Sequence, residues 1–309
     1  MSRPDIVDIC ATLDGLQRQR KFYIKLHNQQ VNAAGGLVRQ VMRVPHEPTD
    51  TVSADDIDRM KAVALKIVAG DRPDGWSHIV DQVQGPIAAL RMAVEPLEKA
   101  RGAVELEMRK VARKLPVAAW ANDVKGFGEL ALAVVVAEAG DLSRYANEGK
   151  LWKRLGLAPY NGRAMSNWKS EFGRMGDAAL TSKEWTDAKY APRRRAEIYS
   201  CVGDPLSKHQ LESVKKSGAP YGRPKGPYGE VYVRRREHTA LTHPEMPMKN
   251  KKNPPEPHWT KGHQRGDAVR VMTKSLISDL WSEWRRARVK LSKKTKAVVP
   301  AAEHLQAAE

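Results

Sequence analysis

The chain has 309 residues and a formal charge of +17 at pH 7, from 53 lysines and arginines against 36 aspartates and glutamates. That surplus exceeds what solubility requires and points to an extended polyanion as partner, nucleic acid first. The most apolar run, Leu130 to Ala139, falls short of the about 18 residues a membrane span needs, and two cysteines, Cys10 and Cys201, exclude a disulfide scaffold or a cysteine-rich zinc module.

In chain order, residues 1–75 read as an N-terminal helical segment. Ile9, Leu13, Leu16, Tyr23 and Leu26 fall near helical spacing, and Pro45 and Pro48 close that helix. Ser53 followed by Asp55 and Asp56 has the composition of an N-cap with an acidic first turn, and the helix it starts ends at Gly70. The two helices are expected to pack together. The Ser2-Arg3-Pro4-Asp5 opening carries no secretory pattern, so a bacterial or phage cytoplasmic setting is expected.

Residues 76–115 carry the clearest periodicity. Trp76, Val80, Val83, Ile87, Leu90, Val94, Leu97, Arg101, Val104, Met108, Val111 and Leu115 alternate steps of four and three, a heptad seam with one polar break at Arg101. Pro86 and Pro96 interrupt it, which predicts a bent coiled coil, antiparallel or dimeric, and a homo-oligomer through the seam.

A compact helical domain is expected over 116–216, then a Gly/Pro-rich basic linker over 217–262 whose composition resists ordering. Within that linker, Glu230 to Arg234 could start a helix or a strand. A C-terminal helix over 263–290 has Val269, Met272, Leu276, Leu280 and Trp284 on one face, and 291–309 reads as a disordered basic tail. The fold class is therefore mainly α: N-terminal helices and a long coiled coil, a compact helix-hairpin-helix domain, and a basic, partly disordered C-terminal region with a final helix.

The candidate site is Lys125-Gly126-Phe127-Gly128, followed by an alanine-rich apolar helix. Two glycines let a hairpin take positive φ and let phosphate approach the main chain, while amides at the next helix N-terminus point at that anion. Phe127 would plug the core between the helices, and Lys125 would add a charge beside the phosphate. Such contacts position a protein on DNA without reading bases.

Val124-Lys125-Gly126-Phe127-Gly128, then Ala137-Glu138-Ala139-Gly140-Asp141-Leu142-Ser143-Arg144-Tyr145, then Leu151 to Pro159 ending in Leu-Gly-Leu-Ala-Pro, resembles the C-terminal transposase domain of the insertion-sequence-110 family. The resemblance implies a DNA-binding transposase of a mobile element, with a serine beyond the Leu-Gly-Leu-x-Pro turn as recombination nucleophile. Ser166 is the matching position, with Ser170 second, and Arg163 and Lys169 would stabilise the phosphoryl charge. Lys125 stands where the family has proline. Family members also carry a RuvC-like nuclease domain that binds divalent metal through carboxylates on strands, and the helical N-terminal reading holds no such strand pattern. No metal site is expected, no cofactor is evident, and Mg2+ enters only if a partner supplies a nuclease site.

Arg193, Arg194 and Arg195 form a basic cluster near Tyr190 and Tyr199, and Arg234 to Arg236 a second one near Tyr221, Tyr228 and Tyr232. Either suits phosphate contact and base stacking, or a solvated face. DNA is the expected partner and RNA a further one, with no membrane. The other reading is a non-catalytic accessory or architectural nucleic-acid-binding protein.

Overall fold

Helical periodicity dominates the sequence, and the structure, a computed structural model, is mainly helical. It describes residues 5–160, 163–164, 174–175, 178–179, 192–246 and 257–306, with side chains over 5–158, 193–246 and 257–290. Among the described residues no strand precedes Pro159, and no helix is long and apolar enough to cross a membrane. The chain divides into two compact units, Leu16–Glu107 and Met1–Gly15 with Met108–Glu309.

The Leu16–Glu107 unit is built from α1 (Ile6–Val41), α2 (Ala54–Ala69) and α3 (Ser77–Ala112), the first and last of which continue into the other unit. Ser53 caps α2 as its composition suggests: its side chain accepts from the Asp56 amide while the Asp56 carboxylate accepts from the Ser53 amide, a reciprocal capping box. Gly70 ends the helix in the left-handed region at φ 98°. Val38 and Met42 of α1, Ala64, Ile67 and Val68 of α2, and Ile79, Val83 and Ile87 of α3 share one buried cluster. Each valine, isoleucine or methionine of the cluster contributes about 1.5–3 kcal/mol when fully withdrawn from water.

Within this unit α1 and α3 run antiparallel. Arg20 meets Glu105 at 2.9 Å and His27 meets Glu98 at 3.3 Å, so positions advance on one helix as they recede on the other. Glu105 also lies 3.8 Å from Arg101, which gives the polar break in the seam its counter-charge. Pro86 and Pro96 both lie inside α3, which continues through them.

The second unit begins with α4 (Ala118–Asp123) and α5 (Gly128–Ala139), then a 3-10 turn (Leu142–Arg144) and α6 (Glu148–Arg154). Two short antiparallel pairs follow, β1 (Pro159–Tyr160) with β2 (Arg163–Ala164) and β3 (Arg174–Met175) with β4 (Ala178–Ala179). Then come α7 (Pro192–Ile198), a π turn (Tyr199–Gly203), α8 (Asp204–Gln210), β5 (Leu211–Glu212), α9 (Val214–Ser217), β6 (Arg223–Pro224), α10 (Pro227–Thr242) and α11 (Lys261–Gln306).

The stretch expected as an unstructured linker is folded over its described residues. β5 pairs with β6, and α10 packs along α11 with Tyr228 and Tyr232 buried. Its glycines serve close approach: a Cβ built on Gly229 would stand 2.2 Å from the Gln210 carbonyl oxygen. Glu230 to Arg234, left open between helix and strand, lies in α10, whose first residue is Pro227.

The final helix extends past both expected boundaries, to Gln306, through the segment expected to be a disordered tail. Alanine, lysine, leucine and glutamate there are strong helix formers. The expected face is the buried one: Val269, Met272, Leu276, Leu280 and Trp284 are all at most 1% exposed. With these residues α11 touches α6, α8, α10, the 3-10 turn and the π turn, so it is the spine of this unit.

Candidate nucleic-acid interface

Between α4 and α5 the chain makes a tight turn, closed by the Phe127 amide donating to the Val124 carbonyl at 3.0 Å. Gly126 occupies the third position of that turn at φ +90°, the sign a type II turn demands there. Lys125 sits at the second position, which favours proline but accepts any residue, and its side chain is exposed. Phe127 is 5% exposed and meets Trp120 edge to face at 6.1 Å, the plug expected of it.

The two glycines do different work. A Cβ on Gly126 would come 2.8 Å from the His209 Cβ and 2.9 Å from the Pro205 carbonyl oxygen, so this residue permits α8 to close on the turn. Gln210 fastens the same contact, donating from Nε2 to the Lys125 carbonyl at 2.9 Å. Gly128, at φ +61°, has nothing within 4 Å of a built Cβ and begins α5. The open approach that the sequence assigned to both glycines therefore belongs to Gly128, beside exposed Lys125.

One carboxylate stands in the first turn of α5. Glu129 accepts from Arg113 at 2.6 Å and from Asn122 at 3.5 Å. The Arg113 hydrogen bond holds its carboxyl below the usual carboxylate range, so Glu129 stays ionised with its charge matched by Arg113.

The Arg193–Arg195 cluster is split by the fold. Arg193 is exposed, whereas Arg194 meets buried Glu138 at 3.1 Å and donates to the Arg154 carbonyl at 3.2 Å. Arg195 lies over the Tyr199 ring, 5.1 Å from its centroid. Arg194 thus ties α7 to α5, and Arg193 alone of the three faces solvent. In the second cluster Arg235 pairs with Asp267 at 2.5 Å, Arg236 is buried, and Arg234 is exposed. Ser166 and Lys169 lie outside the described residues, as do Ser170 and Tyr190. Arg163 contributes its backbone to β2, and its side chain is outside the description.

Sequence reasoning missed how the residues after α5 anchor the unit. Gly140 ends α5 at φ +79°, and Asp141 caps the 3-10 turn by accepting from the Ser143 amide at 2.9 Å and hydroxyl at 2.8 Å. The same oxygen accepts from the indole Nε1 of fully buried Trp284 at 2.9 Å, which joins the turn to α11. Burial pulls the Asp141 carboxyl upward, but the Ser143 and Trp284 hydrogen bonds and the nearby Arg288 outweigh it, leaving the group below its ordinary range. Trp281 Nε1 donates to the Tyr145 carbonyl at 3.1 Å, and Trp152 Nε1 to the Lys274 carbonyl at 3.2 Å. The visible signal was three tryptophans needing partners for their N–H groups.

Among the described residues no group of three or more histidines, cysteines, aspartates or glutamates is placed to hold a metal ion. Those residues do not fit two-metal nuclease chemistry. Residues 119–183, which open in α4 and include the turn, α5, Asp141 and Ser166, match the model of the Transposase IS116/IS110/IS902 family. No curated protein and no solved structure matches the chain.

Proposed function

We propose that the chain is a transposase of a mobile element, a reading supported by the match of residues 119–183 to the IS116/IS110/IS902 family, and that it grips duplex DNA by its backbone through a helix-hairpin-helix. The observation that carries this reading is the turn at residues 124–128: buttressed from behind by α8, it leaves Lys125 exposed and Gly128 open at the start of a twelve-residue helix. First-turn amides of α5 and the Lys125 ammonium meet one phosphate, and Arg193 adds a second contact. Arg163 and Lys169 belong to the same phosphate-binding set. Copies associate through the 76–115 segment, where Met92 and Leu106 are exposed apolar side chains.

Strand transfer through Ser166 is the catalytic part of the proposal. Its Oγ displaces one deoxyribose oxygen from phosphorus, the departing oxygen takes up the proton that serine gives up, and a serine–DNA phosphodiester replaces the phosphodiester of the strand. Incubation of the full chain with element-end DNA, followed by denaturing electrophoresis, tests this step: a covalent adduct is expected from the wild type and none from Ser166→Ala. A second reading is an accessory protein that binds DNA without cutting it. Salt-sensitive binding with no adduct from the wild type selects that reading. The hairpin itself is tested by duplex affinity in Lys125→Pro, which removes the charge and keeps the turn.

A further inference from the structure

Besides buttressing the hairpin, α8 lines, with β5, α9, the loop before α10, the middle of α10 and the start of α11, a cleft of about 840 Å³, within the range of sites that hold a small organic molecule. Six cations line it, Lys208, Lys216, Lys225, Arg236, Lys261 and Arg265, against one carboxylate, Glu212. Three of them are answered: Lys216 by Glu212, Lys261 by Glu245 and Arg265 by Asp204. Lys208, Lys225 and Arg236 form no ion pair among the described residues, although Lys208 and Lys225 are free to reach solvent and Arg236 is not.

Arg236 is the unusual member. It is 8% exposed, its Nε donor is buried without a partner, and its single side-chain hydrogen bond among the described residues, Nη2 to the Gln264 Oε1, is long at 3.3 Å. A buried guanidinium with no carboxylate costs stability in the free protein unless an anion completes it. Its Cζ lies over the Tyr221 ring, 4.7 Å from the centroid, so the cleft offers a cationic and aromatic surface beside its lysines. Such a pairing of aromatic platform and cations suits a nucleobase and its phosphate. A duplex keeps its bases paired and stacked inside, so a cleft of this size admits a base only once it has left the stack.

We propose that this cleft takes one unstacked nucleotide of a single strand, its phosphate held by Lys208, Lys225 and Arg236 and its base lying on the Tyr221–Arg236 stack. The site is separate from the hairpin: it binds single strands, whereas the hairpin binds duplex backbone.

The test is fluorescence anisotropy on the full chain with labelled dT10, labelled U10 and a labelled duplex. Tyr221→Leu and the double variant Lys208→Ala, Lys225→Ala change residues at the cleft mouth, and their thermal melting is checked alongside. The expected result is a loss of single-strand affinity of about tenfold for Tyr221→Leu, and for the double variant a fall of about 1.4 in the salt slope, with duplex affinity unchanged in Tyr221→Leu. A loss with both oligonucleotides upholds a site blind to the sugar, and a loss with one alone upholds it and assigns the sugar. Wild-type single-strand affinity in both folded variants, or no single-strand binding by the wild type, overturns the proposal. Lys125→Pro is predicted to leave dT10 affinity intact, so failure of the hairpin reading and failure of this one remain distinguishable.

Discussion

Asp141 shows how one side chain can join distant parts of the chain. Its carboxylate is shared by the 3-10 turn and the α11 indole of Trp284, with Arg288 at 3.8 Å. Because the folded carboxyl sits below its ordinary range, its contribution to stability is complete above the unfolded pKa and is lost as pH falls through the folded one. Asp141→Asn is therefore expected to lower the unfolding free energy at pH 7 and to narrow its deficit against wild type under acid, measured by denaturant titration across pH. An unchanged gap at all pH values would show that the carboxylate charge is irrelevant there. Arg194 teaches the same lesson: its partner Glu138 lies far earlier in the chain, so composition alone could not distinguish an internal tie from a DNA contact.

At the scale of elements, the α4–α5 turn is held by the approach of α8, and that makes its two glycines unequal. Gly128→Ala meets only the cost of a left-handed residue, about 1–2 kcal/mol. Gly126→Ala adds a collision with the backbone of α8 and is expected to cost about 3 kcal/mol or more, read from chemical denaturation. Equal costs would mean that α8 does not press on the turn. Elements with periodic faces were legible in the sequence: the seam of α3, the Ser53 and Gly70 ends of α2, and the buried face of α11 all follow from spacing and capping chemistry. The Lys125-to-Gly128 segment was legible as a turn, with Phe127 as its plug. The region around α10 was not, because glycine and proline are ambiguous. Pro227 starts a helix and Gly229 lets two backbones touch, yet the same residues in the same numbers describe a loose linker. Which glycine of the hairpin stays open was equally hidden, since that depends on α8, a segment distant in sequence.

For the whole molecule, the charge of +17 sets the expectation of a polyanion, and the fold decides which cations are available for it. Arg113, Arg194, Arg235 and Arg265 are engaged by carboxylates of the same unit, while Lys125, Arg193, Lys208, Lys225 and Arg234 carry none of the ion pairs seen among the described residues. The C-terminal helix, remote in sequence from the family-matched segment, supplies the core on which α6 and the Asp141 turn rest. The family-matched segment thus shares its core with α11, and a hairpin variant is informative only when it leaves the fold intact.

Lys125→Pro meets that condition. Val124 already has the extended conformation that precedes proline, φ −82° and ψ 103°, and the Lys125 amide donates no hydrogen bond among the described residues. Proline there is expected to hold or raise stability by about 0.4–1 kcal/mol while removing one phosphate contact. The deciding measurement is duplex affinity as a function of salt for wild type and Lys125→Pro. Weaker binding at low salt and a log–log slope shallower by about 0.9 support the hairpin as the DNA grip. An identical affinity and slope in the folded variant would contradict it.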